Sequence, residues 1–142
     1  MTERYRILDH PADGKFRAFG ETVEEAFGNA ALAMASLMWD WEKIPSRLEY
    51  PIEIRGRDLK QLLYKFLEEI LYLLDTKRFL LGSVDDLTIE PGEEFVLRAV
   101  FRGDAYADRI EIFGDVKAVT YNEMQLESCA CGPWVIQVFV DM

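Results

Sequence analysis

Residues 58–75 read as one strongly amphipathic helix, and that helix constrains the fold more than any other feature of the chain. It opens on Asp58 and Gln61, and Leu59, Leu62, Leu63, Phe66, Leu67, Ile70, Leu71 and Leu74 then recur at helical spacing. Lys60, Lys65, Glu68 and Glu69 fall on the opposite face. A stripe this wide has to be covered by a second apolar layer. A second helix is predicted after Thr22, with Glu25 three residues on as a capping box. Its stripe is Val23, Ala26, Phe27, Ala30, Ala31, Met34, Ala35 and Met38, and so many alanines let a helix backbone approach its neighbour closely.

The covering layer reads as strand. Leu48, Tyr50, Ile52 and Ile54 alternate with Glu49, Pro51, Glu53 and Arg55, a period of two. Pro51 has no N–H, so this strand belongs at an edge or turns that position outward. Pro91-Gly92 predicts a hairpin between residues 87–89 and the alternating Phe95, Leu97, Ala99 and Phe101. Asn122-Glu123 predicts another between residues 116–121 and 124–127, and a last strand covers 134–141. Two short strands, helix, strand, helix and a run of strands imply an α+β fold in two layers. Its antiparallel-rich mixed sheet carries both amphipathic helices packed on one face. With 142 residues and neither repeats nor low-complexity segments, residues 1–142 are expected to form a single domain.

Charge narrows the choice of partner. Asp+Glu number 26 against 16 Lys+Arg, a net charge of −10. Such a chain gains nothing from counterion release on a phosphate backbone, so a protein partner or a cation is expected and direct nucleic-acid binding is not. No stretch reaches the roughly 20 apolar residues a membrane span requires, and the start shows no apolar signal core. The two cysteines, Cys129 and Cys131, read as thiols of a reducing, cytoplasmic compartment, too close along a strand for an ordinary disulfide.

No Gly-rich phosphate loop or nucleophile elbow is present, and His10 is the single histidine. The segment Asp9-His10-Pro11-Ala12-Asp13-Gly14 is an oxygen-rich turn suited to hard cations, or else a capped turn whose acids accept backbone N–H groups. The last strand ends on Asp141, one residue before Met142, which sets the Asp141 carboxylate near an α-carboxylate. Two such groups repel unless a cation or base lies between them or water screens both. Lys117 and Tyr121 share a strand face, either a functional surface or a solvated one. Trp39, Trp41 and Trp134 read as core or rim aromatics.

Taken together, His10-Pro-Ala-Asp13, the helix beginning Thr22-Val-Glu-Glu-Ala-Phe, the helix Leu62-Leu-Tyr-Lys-Phe-Leu-Glu-Glu-Ile-Leu-Tyr-Leu-Leu-Asp75, Val116-Lys-Ala-Val-Thr-Tyr121 and Val138-Phe-Val-Asp141 resemble the archease family. The resemblance covers essentially the whole chain. Pro11 stands where the family's opening motif usually has Thr, and Asn122 where His often follows Val-Thr-Tyr.

What the resemblance implies is a protein cofactor rather than an enzyme. Archeases assist the GTP-dependent RNA ligase of tRNA splicing, promoting guanylylation of its active-site histidine and multiple turnover. The family's metal site falls on Asp13, Asp141 and Met142, with calcium the ion it suggests and magnesium or manganese as alternatives. His10, Lys117 and Tyr121 are then candidates for a functional surface around that site. A small metal-dependent hydrolase and a general chaperone-like binding module are the competing readings.

Overall fold

The computed structural model describes residues 3–8, 13–107, 109–128 and 132–142, and at Asp13 the backbone alone. Asp9, His10, Pro11, Cys129 and Cys131 lie outside the described residues. In chain order the elements are β1 (Tyr5–Leu8), β2 (Asp13–Gly20), α1 (Val23–Ser36), a 3₁₀ turn (Trp41–Lys43), β3 (Leu48–Gly56), α2 (Leu59–Lys77), β4 (Phe79–Glu90), β5 (Phe95–Ala105), β6 (Ala118–Ser128) and β7 (Trp134–Asp141).

Both helices start where their caps predict. Thr22 Oγ1 accepts from the Glu25 N–H at 3.1 Å, and Glu25 Oε1 accepts in return from the Glu21 N–H at 3.1 Å. Asp58 Oδ1 accepts from the Gln61 N–H at 2.8 Å, while Gln61 Oε1 accepts from the Arg57 N–H at 2.9 Å. Each pair satisfies amide donors that the first helical turn leaves without partners. α2 ends at Arg78, whose left-handed backbone (φ 53°) directs its N–H back to the Leu73 carbonyl.

The fold is α+β, and its strands divide between two sheets. One has the order β1-β2-β7-β6 and the other β3-β5-β4. Every described strand pairing is antiparallel, so the mixed character expected of the sheet is not found. The chain passes from the first sheet to the second between β2 and β3 and returns between β5 and β6, where an isolated bridge joins Ile112 to Trp39. α1 lies against β2 and β4, and α2 against β3 and β6, so each helix reaches both sheets. This explains why α1 buries far more than one stripe, including Leu32, Ala33 and Asn29. A helix rich in alanine is thin enough to be enclosed. Asn29 donates to the Phe19 carbonyl at 2.7 Å, which satisfies the polar group that burial removes from water.

Aromatic rings join the layers. Phe27 of α1 and Phe66 of α2 have centroids 5.9 Å apart, and Phe66 meets Phe101 of β5 at 5.5 Å. Rings at such separations add to their area burial. Trp39 is wholly buried and donates Nε1–H to the Leu81 carbonyl at 2.9 Å. Trp41 and Trp134 are half-buried, so the three tryptophans are core and rim residues as expected.

Pro51 sits on β3, which pairs with β5 alone and is an edge strand, as a residue without an N–H requires. The β4–β5 hairpin forms around Pro91-Gly92. The hairpin expected at Asn122-Glu123 does not form. β6 runs through that point as one strand, and residues 121–124 stand opposite Val138 alone in its pairing with β7. Glu123 takes a left-handed backbone there (φ 53°). Turn-forming residues have made a bulge instead of a reversal, because β7 offers pairing partners on both sides of it.

Candidate metal centre

The register of β2 on β7 sets Asp13 directly opposite Asp141, followed by Gly14 opposite Val140. On its other side Asp141 faces Ala118 of β6, and the Lys117 N–H donates to the Asp141 carbonyl at 2.7 Å. Opposed residues of an antiparallel pair have Cα atoms about 4.5–5.5 Å apart. Residues far apart in sequence, 13 and 141, are thereby made neighbours by strand pairing. Asp141 is exposed, at the end of a strand whose residues 136–140 are otherwise buried.

Met142 is held by its side chain. A Cβ at Gly14 would approach Met142 Sδ to 3.0 Å and Leu37 Cδ1 to 2.9 Å. One at Gly114 would come within 2.1 Å of the Leu37 carbonyl oxygen and 3.5 Å of Met142 Cε. Gly14 and Gly114 thus leave the slot beside the end of α1 that the thioether fills, and Met142 lies half-buried against the core. The apolar side chain is an anchor, and it fixes the backbone of residue 142 next to Asp141.

Strand pairing thus opposes two acidic residue types, whose side chains carry only oxygen donors. Hard divalent cations, calcium above all, accept such ligands in irregular geometry. Among the described residues no group of three or more His, Cys, Asp or Glu is placed to hold a metal. The candidate His10 lies outside the described residues.

Lys117 and Tyr121 separate in the structure. Lys117 is exposed, beside Asp141, and lines a groove of about 530 Å³ along α2 with Lys65, Glu68, Glu69, Tyr72 and Asp75. Tyr121 lies further along β6 and is stacked on Tyr64 of α2, with centroids 4.4 Å apart and rings within 8° of parallel. Lys117 therefore belongs to the carboxylate end of the molecule, and Tyr121 to the packing of β6 on α2. Burial raises the Glu69 carboxyl above its ordinary 4.5. Burial, and then Glu68, raise the Tyr64 hydroxyl above its ordinary 10.0.

Two features of this end escaped sequence reasoning. The Gly14–Gly114 slot joins residues with no shared pattern. The segment 109–113 reads as neither helix nor strand, yet carries Ile112 and Phe113 exposed at 40% and 60%. The signal available was an apolar pair just before a glycine in a segment without periodicity.

Comparison with known proteins agrees with this architecture. The family model described as the archease protein family matches residues 5–142. The protein archease of Methanosarcina mazei is 41% identical over 99% of this chain and 97% of its own length. That of Pyrococcus furiosus is 36% identical over 98% and 99% respectively. The solution structure of a Methanobacterium thermoautotrophicum protein superposes with a TM-score of 0.84 at 30% identity, covering 98% of this chain and 99% of that one. A Thermotoga maritima crystal structure, described as an archease and possible chaperone, shares the fold with a TM-score of 0.60 at 18% identity, over 95% and 94% of the two chains. With the match running through both helices and the strands that carry Asp13 and Asp141, the chain belongs to the archease family.

Proposed function

We propose that this chain is a protein cofactor of the GTP-dependent RNA-splicing ligase, promoting guanylylation of the ligase's active-site histidine and hence multiple turnover. The observation that carries the proposal is the opposition of Asp13 and Asp141 at a sheet end where Met142 is anchored. We assign Asp13, Asp141 and the α-carboxylate of Met142 as ligands of a divalent cation, calcium first. When bound, the cation supplies positive charge that can be set against phosphate oxygens.

The chain's own residues perform the positioning. Strand pairing holds the two aspartates in register, and the Met142 side chain anchors the backbone of residue 142 beside them. Lys117, whose N–H is bonded to the Asp141 carbonyl, adds a cation to the groove along α2 next to this end. The net charge of −10 favours docking on a basic protein cleft and disfavours RNA as the direct ligand. The carboxylates and exposed lysine lack a nucleophile paired with a base, so the chain is assigned no reaction of its own.

The test uses purified ligase, GTP and tRNA halves, with the chain added below stoichiometry. Wild type is expected to restore multiple turnover. Asp13→Ala and Asp141→Ala are each expected to abolish it and to weaken calorimetric Ca²⁺ binding by tenfold or more, about 1.4 kcal/mol. Their melting temperatures without metal should hold or rise, since one of two repelling charges is gone. A short extension after Met142 is expected to weaken Ca²⁺ binding more than one before Met1. Full stimulation by both aspartate variants would remove the site from the mechanism. GTP hydrolysis by the isolated chain would replace the cofactor reading with a hydrolase. Protection of unrelated clients from aggregation, with no effect on ligase turnover, would favour the chaperone role suggested for the Thermotoga protein.

A further inference from the structure

Residues 109–117, between β5 and β6, expose Phe113 at 60% and Ile112 at 40%, yet they are tied down at several points. Ile112 bridges to the wholly buried Trp39, and the Phe113 N–H donates to the Met38 carbonyl at 2.9 Å. Gly114 lies against Leu37 and Met142, Val116 is buried, and the Lys117 N–H holds the Asp141 carbonyl. At the other end Arg109 donates to the buried Asp104 at 3.3 Å. Phe113 also walls a groove of about 340 Å³ that it shares with Asp40, Lys43, Arg109, Ile110 and Glu111.

We propose that Phe113 is the anchor that seats the carboxylate end of this chain on its protein partner. This rests on the ligase reading above, and the occupant is the ligase: an apolar pocket with a basic rim beside its nucleotide site. Three observations select that chemistry. The aromatic ring is held facing water by a backbone already bonded at Phe113 to Met38 and at Lys117 to Asp141, so docking would order little that is not ordered beforehand. Lys43 and Arg109 of the groove are ion-paired with Asp40 and Asp104, whereas the exposed neighbours Glu111 and Asp115 are acidic, which calls for cations around the pocket that receives the ring. Gly114, the residue directly after Phe113, packs against the Met142 side chain, which sets Phe113 one residue from the anchor of the carboxylate end. Large aromatic anchors of this kind dominate interface energetics.

The experiment titrates wild type, Phe113→Ala, Phe113→Leu and Asp141→Ala into ligase, GTP and tRNA halves, and measures Ca²⁺ affinity, melting temperature and sedimentation for each. Phe113→Ala is expected to raise the half-saturating concentration about tenfold or more while reaching the same plateau. Its Ca²⁺ affinity and melting temperature should not change, and Phe113→Leu should recover part of the loss. Asp141→Ala should instead abolish stimulation at every concentration. An unchanged half-saturating concentration for Phe113→Ala, with wild type active, would overturn this inference and leave the ligase reading standing. Failure of wild type to stimulate or bind the ligase would overturn both. A wild type that sediments as a dimer, with Phe113→Ala a monomer, would assign the face to a second copy of the chain and overturn the inference likewise.

Discussion

Glu69 lies on the face of α2 that periodicity marks as polar, yet in the structure it is half-buried. The groove it lines runs between α2 and the start of β6, a neighbour no local pattern specifies. Burial raises its carboxyl above the ordinary 4.5, so between those two values the folded chain binds more protons than the unfolded one. Stability must then fall as pH rises through that window. Glu69→Gln is expected to melt about a degree or two higher than wild type at neutral pH, with the gap closing near pH 4. Parallel thermal melts at the two pH values check it, and a gap that persists in acid would mean the carboxyl is not the cause. The acidic ends of the candidate site were legible for a different reason. Asp13 closes a turn-rich segment and Asp141 ends an apolar strand, both visible locally, whereas their opposition exists only through the β2–β7 register.

Among the elements, the helices were legible because their determinants are local. Thr22 and Asp58 cap turns that begin one residue later, and the apolar stripes repeat within a few residues. β6 was not legible as one strand, because Asn122-Glu123 carries the same short-range signal whether it reverses the chain or bulges it. β7 supplies the partners that decide, Gln137 among them. Only 4% exposed, Gln137 accepts from Arg17 Nε at 3.0 Å and donates to the Glu123 carbonyl at 3.0 Å, tying the bulge down. Lys15 adds a salt bridge to Glu123 at 3.6 Å. Gln137→Leu would leave the Glu123 carbonyl without that donor in a partly buried site. It is expected to cost about 1–3 kcal/mol, read from the denaturant midpoint. A variant as stable as wild type would show that the bulge is held by strand pairing alone.

For the whole molecule, the governing quantity is the net charge of −10. If it speeds encounter with a basic ligase cleft, screening should weaken that encounter, because the Debye length is only about 8 Å at physiological ionic strength. Raising salt from about 50 to about 300 mM is expected to increase the half-saturating concentration several-fold, with little change in the plateau. Stopped-flow or titration of ligase stimulation at the two ionic strengths measures it. Insensitivity to salt would leave the apolar contact at Phe113 to account for docking alone. The helices contribute to this scale as well, since each touches both sheets and the Phe27–Phe66–Phe101 contacts run from one layer to the next.

The amino-acid sequence alone determined the α+β class, the two helices with their caps, the edge position of Pro51 and the family, because each depends on residues close together or on motifs kept in order along the chain. The division of the strands into two sheets, the bulge in β6, the stacking of Tyr121 on Tyr64 and the slot that anchors Met142 were decided by tertiary structure. In each of these the deciding partner lies far along the chain: Val138 opposite residues 121–124, Tyr64 under Tyr121, and Leu37 and Gly114 beside Met142. Apolar periodicity tells a segment which of its faces to bury, and carries no information about which distant segment will cover it.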